Sequence, residues 1–387
     1  MGKLGIYIQV PFCQTKCTYC NFHTGVVAAG RYAPYSAAVC AEIRQREAFW
    51  NAAGLNVPER DVLVDTVYIG GGTPSLLEPE LLARIIDAVR EQFPCALEEL
   101  TLEADPETVD EFKAAKWVAA GINRISFGAQ SFIDEELKSA GRMHRRTDIY
   151  QSSKTLRAAG IGNISFDLIA GLPKQTAESW RRSVEEATAL SPEHISIYMM
   201  EIDEGSRLGL EVLQGGPRYS ARDLPENEAM ADFYETAQLL LKQAGYEQYE
   251  ISNWSKRGFA SLHNLKYWRR EPYFGFGAGA HSFSGSERWA NTHDAAAYVT
   301  AIETNRKAID TLDEVTRDMA LEEELFLGLR QLAGINLGRI EQHYGVDFQK
   351  KVRELANGGL IEQSGQIVRL PADKLSVSNE IIVELLR

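Results

Sequence analysis

Cys13, Cys17 and Cys20 stand as C-x3-C-x2-C directly after an apolar run at residues 6–10. Three thiolates on one short loop can hold three irons of a four-iron, four-sulfur cluster, whereas a purely electron-carrying cluster takes four cysteines. The fourth iron is then open to a chelating small molecule, and the amino and carboxylate groups of a methionine-type ligand suit that position. Two other chemistries use the same residues. His23, three residues past Cys20, completes C-x3-C-x2-C-x2-H, a set that closes a tetrahedral zinc site. A disulfide is the third reading, although the five cysteines leave one unpaired in any full scheme. Cys40 and Cys95 lie alone on helical stretches and read as buried, inert thiols.

Such a loop needs a scaffold. Short β-rich runs recur at residues 6–10, 66–69, 99–103, 124–127, 164–169 and 195–199, with helical stretches between them. After Pro79, the spacing of Leu82, Ile85, Ile86, Val89 and Phe93 predicts a helix with one apolar face. Strands alternating with helices imply right-handed βαβ units and a parallel sheet. Six units make about three quarters of an eight-unit barrel. The expected fold is therefore α/β, an incomplete, TIM-like (β/α)6 barrel with a lateral opening for a large substrate. Sites on such barrels gather at the carboxyl ends of the strands. The cysteine loop follows the first strand and Gly70-Gly71-Gly72-Thr73-Pro74 the second. Glu103 and Asp105 end the third, Gln130 follows the fourth, and Asp167 lies late in the fifth. The glycine run alone is neither a dinucleotide fingerprint nor a P-loop, and reads as a turn that lets a ligand approach the backbone.

One βα unit apart, the triplet and the glycine run resemble the radical S-adenosylmethionine (SAM) enzymes. More narrowly, Tyr7 to Cys13, Gly70 to Ser75, Glu103 to Pro106, Ser126 to Phe132, Gly141-Arg142 and Asp167 to Gln175 resemble, in order, the oxygen-independent coproporphyrinogen III oxidase-like family. That resemblance implies a [4Fe-4S] cluster on Cys13, Cys17 and Cys20. It implies SAM contacts from Tyr7, Tyr19, Gly71, Gly72, Thr73, Glu103, Gln130, Arg142 and Asp167, with Tyr19 as an aromatic wall near the adenine. It also implies a flavodoxin- or ferredoxin-type electron donor and reductive cleavage of the sulfonium to a 5'-deoxyadenosyl radical. The family's oxidases carry a further cysteine two residues past the third, where this chain has Phe22. The departure points to the subgroup of heme chaperones known as HemW. His263-Asn264-Leu265-Lys266-Tyr267-Trp268 reads H-N-x-x-Y-W, which that subgroup associates with heme: His263 as axial imidazole, Tyr267 and Trp268 as flat walls. His281, after alternating glycines at residues 275–279, is a rival ligand. The expected function is heme binding and delivery to hemoproteins such as respiratory cytochromes. Coproporphyrinogen decarboxylation is the alternative, and a zinc-stabilised binding protein a third class.

The bulk composition sets limits around this chemistry. The 387 residues are too many for one small core. With 54 acidic against 41 basic residues the net charge is -13, which argues against nonspecific nucleic-acid binding. Met1 to Gly5 is too short for a signal peptide and no apolar run reaches bilayer length. The expectation is a cytoplasmic protein, with peripheral membrane association left open. Expected domains are a partial barrel at 1–205, an α/β extension with the H-N-x-x-Y-W motif at 206–309, and a small helical, winged-helix-like domain at 310–387. The last holds 14 acids and 9 bases, a net of -5 that favours an interaction or lid role over DNA binding. Residues 203–226, rich in glycine, charge and proline, read as a loop over the barrel mouth.

Overall fold

All six expected strands form, each longer than the run that announced it. The computed structural model describes residues 2–55, 57, 62–306 and 308–386. Strands β1 (Gly2–Val10), β2 (Val62–Gly71), β3 (Cys95–Ala104), β4 (Arg124–Gln130), β5 (Asn163–Ala170) and β6 (His194–Met199) lie side by side in chain order. Every neighbouring pair is parallel, with Tyr7 beside Tyr68, Glu103 beside Ser126 and Asp167 beside Ser196. Two-residue alternation sorts their side chains. Ile6, Ile8 and Val10 are fully buried on the helix-covered face, whereas Tyr7 and Gln9 are only half-buried on the inner one. The helix Pro79–Gln92 buries Leu82, Ile85, Ile86 and Val89 as its spacing predicts. Each such side chain contributes about 1.5–3 kcal/mol of burial.

Between β6 and the C-terminal helices the chain does not build a sheet of its own. Strands β7 (Glu247–Glu250), β8 (Asn253–Ser255), β9 (Tyr273–Phe276), β10 (His281–Phe283), β11 (Glu287–Asn291) and β12 (Ile309–Glu314) extend the barrel's sheet at both flanks. Strand β8 pairs antiparallel with β6, while β9 runs parallel to β1 and leads out to β12. The result is a 12-stranded open sheet whose edges are β12 and β7.

Passing from β8 to β9, the chain must cross the amino ends of the barrel strands, and the helix Leu262–Trp268 makes that crossing. Glu99 of β3 accepts the backbone N–H groups of Leu262 and His263 at 3.0 and 3.1 Å, capping two donors that a helix start leaves unpaired. Lys266 pairs with Asp65 of β2 at 2.8 Å, both nearly fully buried. This short helix plugs the bottom of the barrel.

Residues 203–226 carry more structure than the expected loop: a helix at Arg207–Leu213, capped by Ser206, and a 3-10 stretch at Arg218–Asp223. The segment does lie against the cysteine loop. Leu208 N–H donates to Thr18 O at 2.8 Å, Asn21 reaches Asp203 at 3.1 Å, and Arg207 donates to Lys16 O. Beyond β12, helix Arg317–Gly328, strand β13 (Ile335–Asn336), helices Leu337–Tyr344 and Gln349–Asn357, and the hairpin of β14 (Glu362–Ser364) and β15 (Ile367–Arg369) follow in winged-helix order. They enclose a separate core around Leu325, Ile340, Val352 and Val368. Among the described residues no helix is long and apolar enough to cross a membrane.

Candidate cluster and cofactor site

The cysteine loop is closed on itself and stitched to its neighbours by backbone bonds. Cys13 N–H donates to Gly25 O at 3.0 Å and Gly25 N–H to Pro11 O at 2.9 Å, while Thr18 N–H reaches Ala140 O at 3.0 Å. The glycine run is tied to its root, with Gly72 N–H on Val10 O at 2.8 Å and Thr73 N–H on Phe12 O at 2.7 Å. A Cβ on Gly72 would stand 2.5 Å from Phe12 O and 3.0 Å from Cys13 Sγ, and Gly71 adopts φ of 118° over Gln9. Only glycine lets this backbone pass so near the thiols.

All three cysteines are free and half-exposed, and Cys40 is free and buried, whereas Cys95 is free but only half-buried. The His23 ring packs against that of His293, with centroids 4.6 Å apart. Among the described residues no three His, Cys, Asp or Glu side chains converge on one ion. Convergence is what a closed zinc centre requires. A cubane instead takes each thiolate on a different iron.

Around the loop the expected contacts gather at one mouth. Arg142 donates to Cys17 Sγ at 3.3 Å and to Gly128 O at 2.9 Å, and pairs with Asp105. Burial opposes its charge, but Asp105 and Cys17 carry the guanidinium pKa well above the ordinary arginine value. Thr73 donates to Asp105 at 3.0 Å. Glu103 accepts from Tyr68 at 2.8 Å and from Gly71 N–H at 2.9 Å; desolvation pushes its carboxyl up to about 7 against those two bonds. Asp167 accepts from Ser126 at 3.2 Å and is raised chiefly by burial. Tyr19 packs on the small apolar cluster of Ala140, Ile169, Leu172 and Met200, the setting of an aromatic wall. Gln130 sits at φ of 63°, a strained conformation for a non-glycine residue. Tyr7 donates to Gln9 at 2.6 Å.

The sequence placed Asp105 at this mouth without giving it a contact, and it did not include Gln9 or Tyr68 among the site residues. Two-residue alternation was the available signal, because Gln9 shares a face with Tyr7, and Asp105 with Glu103. The structure does not bring the H-N-x-x-Y-W residues to this mouth. His263 is fully buried in the plug, its Nδ1 bonded to Thr66 at 2.9 Å and its Nε2 to Tyr267 at 2.8 Å. Burial and the Lys266 charge push its imidazole down to about 3. With both nitrogens occupied, it presents no edge to a porphyrin. Tyr267 stands edge-on to His263 and Tyr273, and the Trp268 carbonyl accepts from Gln331 at 3.1 Å. His281 is exposed at the start of β10.

The radical SAM superfamily pattern matches residues 7–187, and the HemN C-terminal domain pattern matches residues 315–373. The heme chaperone HemW of Bacillus subtilis (strain 168) is 35% identical over 381 residues, covering 97% of this chain and 97% of its own. This chain belongs to the HemW family of radical SAM proteins. The HemW of Lactococcus lactis is 32% identical over 385 residues, covering 98% of this chain and 96% of its own. The fold is that of coproporphyrinogen III oxidase (HemN) from Escherichia coli, a radical SAM enzyme, with a TM-score of 0.82 at 21% identity over 99% of this chain and 90% of that one.

Membership in the radical SAM superfamily implies a [4Fe-4S] cluster and SAM, and the residues at the mouth fit both. Three accessible thiols, a glycine backbone held close to them and a fixed cation suit a cluster. A buried carboxyl and an aromatic wall suit a small zwitterionic cofactor. Held by the three cysteines and by the mouth residues around Arg142, Glu103 and Asp167, this pair would supply reductive carbon–sulfur bond cleavage.

Proposed function

We propose that this protein binds heme and passes it to recipient hemoproteins such as respiratory cytochromes. In this reading it works in the cytoplasm and carries a [4Fe-4S] cluster on Cys13, Cys17 and Cys20. Likeness to proteins named heme chaperones over nearly its entire length carries the reading. Phe22 supports it, standing 67% exposed where the oxidases carry a further cysteine.

The chain's own groups have separable tasks in this reading. Arg142 keeps a positive charge beside Cys17 and offers a fork to a carboxylate. Glu103 and Asp167 accept from ammonium or ribose groups. Gly71, Gly72 and Thr73 supply backbone close to the amino end of the cofactor, and Tyr19 covers its base. A flavodoxin- or ferredoxin-type partner supplies the electron.

Anaerobically reconstituted protein tests the proposal when titrated with hemin and, separately, incubated with coproporphyrinogen III, SAM and reductant. A stable heme complex without carbon dioxide release supports a chaperone. Turnover of the porphyrinogen would replace it with an oxidase.

A further inference from the structure

Three of the seven histidines meet on one exposed face beside the cysteine loop, brought there by three separate segments. His23 follows the third cysteine. His293 occupies the turn between β11 and the helix Ala295–Glu303, and the two rings touch at 4.6 Å with planes 34° apart. His281 opens β10 and pairs there with Ala290 of β11, three residues before His293. All three imidazoles are exposed, and among the described residues none of their nitrogens has a hydrogen-bond partner. Buried His263 and His194 contrast with them, each having both nitrogens bonded. No task assigned to the cluster and SAM mouth uses these three histidines.

The same loop exposes apolar side chains that its fold leaves uncovered. Phe22 is 67% exposed and Val26 61%, with Val27 beside them. Free imidazole next to an uncovered aromatic and aliphatic surface is the pairing an iron porphyrin requires: an axial nitrogen donor and flat apolar contact. Water solvates neither Phe22 nor a porphyrin face well, so each gains from covering the other. Because the His23 and His293 rings touch, no porphyrin fits between them. One binds iron and the other steadies its partner's orientation, as an outer-shell group does.

We propose that this face is the heme site, with His23 as axial ligand, His293 orienting it, and Phe22 and Val26 against the porphyrin. The proposal rests on the heme-binding reading above and names where that reading takes effect. It removes His263 from the iron and leaves it as part of the barrel plug.

Hemin titration of the full, cluster-loaded chain tests it, read by Soret absorbance and electron paramagnetic resonance, with iron and sulfide content as the control for loop integrity. His23→Ala is expected to weaken hemin binding by about tenfold or more and to abolish the imidazole-ligated spectrum, which added free imidazole should restore. His293→Ala lies off the cysteine loop and should change the spectrum in the same direction without changing iron content. Phe22→Ser should weaken metal-free protoporphyrin IX as well as hemin. Wild-type hemin affinity and spectrum in the His23→Ala/His293→Ala double variant would overturn the site while leaving heme binding intact. Failure of the unmodified protein to bind hemin would instead overturn the heme reading itself.

Discussion

Arg142 donates to the Sγ of Cys17 across 3.3 Å, joining the loop after helix Asp134–Ser139 to the loop after β1. Its other terminal nitrogen is fixed by Gly128 O and Asp105. The guanidinium is thus held charged beside a thiol that must lose its proton to bind iron, and it offers two directed donors, which a lysine cannot match. Replacing Arg142 by alanine is expected to weaken iron retention by about 10- to 100-fold, the usual cost of losing an outer-shell partner. Arg142→Lys should recover only part. Chelator competition on reconstituted protein measures both, and unaltered iron retention in Arg142→Ala would show the contact to be incidental.

Glu42 governs a pH dependence away from this site. It lies buried in helix Tyr32–Ala52, accepting from Gly277 N–H at 2.9 Å, Asn291 at 2.7 Å and Tyr298 at 2.5 Å. Desolvation pushes its carboxyl up to about 7 despite these three donors. In the unfolded chain it ionises near 4.5, so between those values the folded state holds more protons. Stability therefore falls as pH rises from about 4.5 through 7, by on the order of 3 kcal/mol for this group. Glu103 and Glu250 are raised to similar values and act in the same sense. Glu42→Gln should flatten the decline in melting temperature between about pH 5 and 8 without erasing it. An unchanged slope would place the titration elsewhere.

Strands β1 to β6 were legible because parallel strands covered by helices carry short apolar runs with turn residues at their ends. The mouth was legible because the chemistry falls at strand ends, where chain order and spatial order agree. Strands β7 to β12 were not, since each is only three to six residues long, and β8 and β9 find their places by pairing with β6 and β1, far away in the chain. The helix at Arg207–Leu213 was hidden by glycines on either side of a single amphipathic turn or two. His263 shows the limit most clearly. Its neighbours Tyr267 and Trp268 spelled a ligand-like motif, while the partners that fix it, Thr66 and Glu99, lie 197 and 164 residues away.

As part of the plug, His263 is expected to matter for stability more than for heme. Its loss strands the Thr66 hydroxyl, removes a bond to Tyr267 and opens a gap beside Tyr7 and Tyr68, whose rings lie 6.4 and 5.3 Å from it. An unmet buried polar group and a small cavity together cost about 2–4 kcal/mol. Urea unfolding of His263→Ala should show stability lowered by that amount, with hemin affinity retained by the folded fraction. Loss of the axial-ligand spectrum at unchanged stability would return the imidazole to the iron.

Gly72 is expected to tolerate no side chain. The Cβ of an alanine there would lie 2.5 Å from the Phe12 carbonyl oxygen and 3.0 Å from Cys13 Sγ. The clash is with backbone, and that backbone cannot yield freely because Phe12 O holds Thr73 N–H while Val10 O holds Gly72 N–H. Relief must come from moving the root of the cysteine loop, at a cost of about 1–3 kcal/mol in packing. Gly162 is the matched control, since a methyl group there would meet nothing within 4 Å. Gly72→Ala should fold yet lose the brown colour and the spectral response to SAM, whereas Gly162→Ala should keep both. Full iron loading of Gly72→Ala with an unperturbed response to SAM would mean that the glycine run does not set the distance between the cofactor backbone contacts and the thiols.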